Sequence, residues 1–423
     1  MPQNDEVELE ITNVAHGGVF VARHEGRVLF VSDTLPGERV MAQITDRSHG
    51  RFWRAETRSV LEPSSERVAH VWSAAALEQR PGTRAGGAEF GHIALEYQRE
   101  LKRRVLVDSL EKTGRVNEQQ IHDLGIAVEP VDNESSDGTG WRTRVRLHVA
   151  PDGRIGPFAS RTHTVIPVAD YPLATSAVHD AIPFSTRYPH AQSLDIIASS
   201  TGAAHVLVND QTLARRASRQ HPVRIPVRER VGEREFRVDA RGFWQIHRAA
   251  PLTLTKAVQD AVDADLFDPR AKNLDLYGGV GLLAAALGDT FGSALRITTV
   301  EANRAATEDA AWNLSEWAEA EAITAKVDSF LRHLNSSATV QERSRLRAAT
   351  VILDPPRSGA GRDVVESLVA CDPAQIIYVA CDPVALSRDI ATFALHGFVP
   401  RALRAYDLFP HTHHLETVVR LTR

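Results

Sequence analysis

Cysteine is almost absent: two thiols, Cys371 and Cys381, stand in 423 residues. Two cannot build a disulfide framework or a complete four-cysteine metal site. No run of about 18 apolar residues occurs, which excludes a spanning helix and predicts no membrane partner. A Gly-x-x-x-x-Gly-Lys-Ser/Thr phosphate cradle is also missing, and with it the main support for an NTPase. Basic residues do not predominate: 49 Lys and Arg against 54 Asp and Glu leave a formal charge of −5, so the chain is not coated in cationic surface. The acidic opening, Met1-Pro-Gln-Asn-Asp-Glu-Val-Glu, predicts neither a secretory signal nor a transit peptide, which makes the cytoplasm the expected compartment. Repeats and low-complexity segments are lacking, and the length predicts two or three domains.

What is present is unevenly spread. Between Arg215 and Arg248 ten arginines stand against four acids. Smaller clusters occur at Lys102-Arg103-Arg104 and at Arg142, Arg144 and Arg146. A solvated face and a polyanion-binding face are both open readings. From residue 7 to about 62, short period-two runs broken by glycine predict a small β-barrel. Its Phe20, Arg23, Arg51, Phe52, Trp53 and Arg54 suit single-stranded nucleic acid, or else the aromatics are core. Leu61-Glu-Pro-Ser-Ser-Glu reads as a linker. Helical spacing runs from His92 to about Thr113, and strand-like stretches return from 126 to 240. Residues 63–240 are therefore expected to form a mixed α+β central domain.

From about residue 245 helices and strands alternate. Helices are predicted at 249–264, 281–289, 303–318, 361–370 and 384–395, with strands at 272–276, 296–300, 349–353, 375–379, 398–406 and 415–422. This is the pattern of a doubly wound parallel sheet with an antiparallel edge. Such sheets bind ligands beyond the carboxyl ends of their strands. There the sequence places Asp275-Leu-Tyr-Gly-Gly-Val-Gly281, Glu301, Asp354-Pro-Pro-Arg357, Cys381-Asp-Pro383 and the stretch Asp407 to Glu416. The glycines allow a sharp turn against a ligand. Glu301, 26 residues beyond Asp275, is placed to accept hydrogen bonds from ribose hydroxyls.

Both cysteines stand in Ala-Cys-Asp-Pro, but Cys371 follows a helical run, whereas Cys381 follows a strand and opens a helix. A helix N-terminus favours the thiolate, so Cys381 is the better nucleophile and Cys371 reads as structural. Other readings stay open. Asp-Pro-Pro-Arg also resembles the loop of amino-group methyltransferases, and Glu416 alone could be a surface acid. His411, His413 and His414 lack a matching carboxylate or cysteine set, so no metal is expected.

Taken in order, Gly242-Phe-Trp-Gln-Ile-His247, Asp275-Leu-Tyr-Gly-Gly-Val-Gly281, Glu301-Ala-Asn303, Leu353-Asp-Pro-Pro-Arg-Ser-Gly359, Tyr378-Val-Ala-Cys-Asp-Pro383 and Phe409-Pro-His-Thr-His-His-Leu-Glu416 resemble the RNA uracil-C5 (5-methyluridine) methyltransferases of the TrmA/RumA type. The likeness extends to an N-terminal barrel resembling a TRAM domain. It implies an S-adenosylmethionine-dependent enzyme with three parts: an RNA-binding barrel at 1–62, an RNA-recognising central domain at 63–240, and a Rossmann-like class I methyltransferase domain at 241–423. Cys381 would attack uracil C6, and Glu416 would remove the C5 proton. Gln245, Tyr277, Gly279, Glu301 and Asp354 match cofactor-side or target-base positions. The RNA would be tRNA or 23S rRNA, and nothing demands more than a monomer.

Departures carry information too. Many relatives hold an iron-sulfur cluster in a Cys-x5-Cys-Gly-Gly-Cys run plus a later cysteine. Here Arg80-Pro-Gly-Thr-Arg-Ala-Gly-Gly-Ala88 and Tyr171-Pro172 stand in those places, so no cluster is expected. The usual Ser-Cys-Asn-Pro is Ala380-Cys-Asp-Pro383, and the extra carboxylate should disfavour the thiolate. Two alternatives remain at this stage: a methyltransferase acting on another acceptor, and an RNA-binding protein with a vestigial active site.

Overall fold

Period-two burial closes residues 6–62 into a barrel. In a computed structural model, which describes residues 6–160, 162–210 and 223–423, strands β1 (Glu6–Ala15), β2 (Val19–His24), β3 (Arg27–Ser32), β4 (Arg39–Asp46) and β5 (Phe52–Glu62) pair in the order β1-β2-β3-β5-β4, and β4 returns to β1. Alternate residues such as Leu9, Ile11, Leu29, Val31, Val40 and Ala42 fill the interior. Phe20 joins them fully buried, which settles its open reading as core. Phe52 and Trp53 remain half-buried. Trp53 already carries two cations, with the guanidinium groups of Arg27 and Arg47 each 4.9 Å from its ring.

Helix α1 (Leu95–Lys112) follows, then α2 (Glu118–Leu124) and the short strand β6 (Val128–Glu129). The central region holds β7 (Arg144–Val149), β8 (Ile155–Gly156), α3 (Ser176–Ala181), β9 (Ala191–Ala198) and β10 (Ala204–Asp210), with sheet order β10-β9-β7-β8. A separate hairpin is made by β11 (Pro226–Val231) and β12 (Arg234–Asp239).

The rest of the chain is α4 (Ala250–Ala261), β13 (Asn273–Leu276), α5 (Leu282–Phe291), β14 (Arg296–Glu301), α6 (Arg304–Asn313), β15 (Glu319–Thr324), α7 (Val327–Ser337), α8 (Val340–Arg347), β16 (Thr350–Leu353), α9 (Arg362–Val369), β17 (Gln375–Ala380), α10 (Pro383–Ala394), β18 (Val399–Tyr406) and β19 (Glu416–Thr422). Its sheet runs β15-β14-β13-β16-β17-β19-β18-β6. Strands β13 to β17 are parallel, and β19 is antiparallel to both β17 and β18. Strand order reverses between β13 and β16, which opens a crevice at their carboxyl ends. Apolar side chains cover both faces: Ile352, Ile377 and Val379 on one, Val351, Leu353, Ile376 and Tyr378 on the other.

Three departures from the sequence reading have physical causes. Residues 319–347, which carry no prediction, form β15, α7 and α8; β15 is an edge strand with no fully buried residue. The helix predicted over 303–318 stops at Asn313, whose side chain turns back to the carbonyls of Val280 and Arg237. Strand β6 lies within 63–240 yet completes the eight-stranded sheet beside β18.

The arginines mostly meet carboxylates of this chain. Arg224 and Arg237 converge on Asp309, Arg234 pairs with Asp289 and Glu316, and Arg228 and Arg230 share Glu235. Arg103 and Arg104 share Glu100, Lys102 is buried on Asp407, and Arg146 pairs with Asp195. Such pairing turns a sequence-level positive block into a seam between the β11–β12 hairpin and helices α5 and α6. Arg215, Arg216 and Arg219 lie outside the described residues. Among the described residues no helix is long and apolar enough to cross a membrane.

Candidate active site

The strand register gathers the site. Leu276 pairs with Leu353 and Val300, and Leu353 pairs with Tyr378, so four parallel strands end in line. Ala380 pairs with Thr417 in the antiparallel step, which brings Cys381 and Glu416 side by side.

The β13–α5 loop is built by two kinds of glycine. Gly279 and Gly281 have φ of +54° and +86°, in the left-handed region that other residues enter only with strain. Gly278 is fixed by space instead: a Cβ there would stand 1.9 Å from Thr299 Oγ1 and 2.5 Å from Asp275 Oδ2. Those two atoms are themselves hydrogen-bonded at 3.0 Å in the buried interior. Gly278→Ala should therefore destabilise the fold by about 1–3 kcal/mol through overpacking and weaken binding at this loop. Gly279→Ala meets nothing within 4 Å and should cost less. Melting temperatures and S-adenosylmethionine titrations of the two variants check the order.

Gly279 donates its backbone N–H to Glu301 Oε2 at 3.3 Å, and Glu301 Oε1 accepts from Asn303 N–H at 2.6 Å. Tyr277, held at φ +63°, and Glu301 line a cavity of about 250 Å³ together with Ala302, Lys326 and Asp328. Tyr277, Gly279 and Glu301 are thus one group. Lys326 and Asp328 complete it and escape the sequence reading, because they follow the unassigned strand β15. A purine nucleoside fits this chemistry: carboxylates for hydroxyl and amino donors, an aromatic wall, and bare backbone at the loop. Nearby, Asp275 Oδ1 is buried without a hydrogen-bond partner. Gln245 stands apart, lining a different cavity of about 210 Å³ with Glu229 and Arg230.

Asp354, Cys381 and Glu416 form the second group. Burial, then the neighbouring Asp275, pushes the Asp354 carboxyl up to about 7. Glu416 is held well above the usual carboxylate range by burial and then by Asp354, with Arg357 opposing. The Cys381 thiol is pushed up to about 12, first by burial, then by Glu416 and Asp354, with Asp382 adding and Arg357 again opposing. This corrects the expectation that a helix N-terminus favours the Cys381 thiolate. Asp382 is the N-cap of α10, and its Oδ1 already accepts the N–H groups of Val384 at 3.0 Å and Ala385 at 2.8 Å. The end of the helix that would have met sulfur meets a carboxylate. Cys381 and Glu416, which each favour a proton, therefore share the opposing charge of Arg357.

Cys371 is buried before β17, at the opposite end of that strand from Cys381, its thiol donating to Asn335 Oδ1 at 3.2 Å. His411 is also buried, with Nδ1 on Gln98 and Nε2 2.7 Å from the Asp137 carbonyl oxygen. Both contacts orient the loop leading to Glu416. The stretch Ala85 to Ala88 and Tyr171 border one large cavity, where Trp72 packs on Tyr171 with ring centroids 4.9 Å apart. Its donor set holds no thiol, so an iron-sulfur cluster does not fit there. Among the described residues no group of three or more His, Cys, Asp or Glu is placed to hold a metal ion.

Comparison with known proteins places the chain. The family described as tRNA (Uracil-5-)-methyltransferase matches residues 254–423, and the TRAM domain matches residues 3–53. An RNA methyltransferase of Streptomyces avermitilis is 34% identical, over 99% of this chain and 98% of its own. The 23S rRNA (uracil(1939)-C(5))-methyltransferase of Halomonas elongata is 29% identical, over 98% of this chain and 89% of its own. Among solved structures, the tRNA (uracil-54, C5)-methyltransferase of Pyrococcus abyssi shares the fold with a TM-score of 0.68 at 19% identity, covering 98% of this chain and 99% of that one.

Proposed function

Because the chain belongs to the RNA (uracil-5-)-methyltransferase family, we propose that it methylates C5 of a uridine in tRNA or 23S rRNA through a covalent adduct between Cys381 and C6. The observation that carries this reading is the pairing of Ala380 with Thr417, which sets a thiol beside a buried carboxylate at the open end of the sheet. Uracil C5 is a poor nucleophile. Addition of the Cys381 thiolate to C6 pushes the ring electrons toward C5 and makes it one. S-adenosylmethionine, when bound, supplies the methyl group that C5 takes. Tyr277, Gly279, Glu301 and Asp328 would hold its nucleoside end, and Asp354 would meet the target base.

Glu416 then accepts the C5 proton, the C5–C6 double bond re-forms, and the C6–S bond breaks with its electrons returning to sulfur. The reacting atoms can be reached only from the face of the ring, so the base must leave its stack. The barrel at 1–62 and the region 63–240 would hold the RNA while 241–423 does the chemistry. The protein is read as a cytoplasmic monomer.

The test is tritium release from unmodified RNA carrying [5-³H]uridine. Release that requires S-adenosylmethionine supports the reading, and fractionating the RNA then separates tRNA from rRNA. Cofactor binding without release from either class would move the methyl group to another acceptor atom.

A further inference from the structure

The turn between β1 and β2 leaves the barrel and enters the catalytic site. His16 Nε2 lies 2.9 Å from Asp382 Oδ2, across 366 residues of sequence. The other oxygen of that carboxylate caps α10, so His16 and the helix hold Asp382 from two sides. Two residues on, Gly18 backs onto His413. At φ +72°, a Cβ on Gly18 would stand 3.0 Å from His413 Nδ1 and 3.1 Å from its Cβ and Cγ. One turn of the barrel thus touches both segments of the proposed chemistry, the one that opens with Cys381 and the one that leads to Glu416. The same turn borders a cavity of about 1070 Å³ between the barrel and the central sheet.

Resting on the reading of Cys381 as nucleophile, we propose that His16 is a positioning residue: by holding Asp382 it fixes the start of α10 and offsets the carboxylate next to the thiol, so that the placement of the barrel reaches the nucleophile. The charge balance agrees with the geometry. The hydrogen bond to Asp382 raises the His16 imidazole above its usual range. Burial pushes Asp382 up, but the bond to His16, the His16 charge and the N–H groups of Ala385 and Val384 together outweigh it and leave that carboxyl below its usual range. Glu89 and His413, 3.7 Å apart, face the turn from the other side. Cys381 itself meets Glu416, Asp354 and Arg357 besides Asp382. Without His16, the Asp382 charge beside the sulfur loses its counter-charge, and the thiol should ionise later.

The rate of Cys381 alkylation by iodoacetamide against pH tests this without RNA, in a Cys371→Ala background where Cys381 is the only thiol. His16→Ala should slow alkylation about tenfold at neutral pH. His16→Gln, which keeps a donor, should stay within about threefold of the parent. Asp382→Asn removes the charge but keeps the cap, so adding His16→Ala to it should change little. Alkylation unaffected by His16→Ala, or slowed equally in the Asp382→Asn background, would overturn the proposal. Tritium release by the same proteins is a separate readout. An inactive parent would defeat the functional reading while the alkylation series still decided the role of His16. A His16→Ala enzyme with raised KM and unchanged kcat would make the residue an RNA contact, not a positioning one.

Discussion

Replacing Cys381 by alanine should lower single-turnover tritium release by at least roughly 10⁴-fold, because no other group in the pocket can form the bond to C6. Cys371→Ala should leave the rate within about twofold. The contrast follows from the sheet: Cys371 precedes β17 and Cys381 follows it, so the length of a strand lies between them, about 20 Å at roughly 3.3 Å per residue. Cys371 is also out of reach of a base, since it is buried and its thiol donates to Asn335. Equal loss in both variants would defeat the assignment of the nucleophile. The wild-type rate should also depend on pH with a definite sign. Cys381 acts as the anion, and burial, Glu416 and Asp354 all favour its proton, so activity should rise with pH through neutrality. A flat profile there, measured at saturating RNA and cofactor, would mean that ionisation of the thiol does not limit the reaction.

Sequence made the ends of the strands legible and left their surroundings dark. The loop after β13, the acid that ends β14, Asp354 and Cys381 each end or follow an apolar run, and the rule that doubly wound sheets work at their carboxyl ends points to all four. Glu416 opens the antiparallel β19 and was legible through the motif Phe409 to Glu416. Asp328 was not legible in the same way. It follows β15, whose Glu-Ala-Glu-Ala-Ile-Thr neither alternates cleanly nor runs apolar, because an edge strand is half in water. His16 carries no local signal at all, since its partner lies 366 residues away. The arginine block misleads for the same reason: its counter-charges Asp289, Asp309 and Glu316 sit on or beside helices that only the tertiary structure brings near. The thiol shows the limit most clearly. Its place before a helix was readable and predicted an easily ionised sulfur. The adjacent Asp382 was readable and pointed the other way, but burial beside Glu416 and Asp354 was not, and these set its ionisation.

Glu416→Gln should convert the enzyme from one that turns over into one that accumulates a covalent complex with RNA. Glutamine fills the same buried space, and at 4% exposure the site favours a neutral side chain, so the fold should survive the change. Addition of sulfur and transfer of the methyl group need no base at C5, and both should proceed. The proton at C5 would then have no acceptor, and the C6–S bond could not break. A denaturing gel should show protein shifted by the bound RNA, with the methyl label in the shifted band. In the wild type the same step carries a pH signature. Glu416 accepts the proton only when ionised, and its carboxyl is held well above the usual range. As pH falls through that raised value the ionised fraction shrinks, so adduct already formed should resolve more slowly in acid. The Gln variant should lose this dependence, its adduct persisting across the same range. Loss of turnover with no shifted band would remove Glu416 from the proton-abstraction step and make Asp354 the next carboxylate to test.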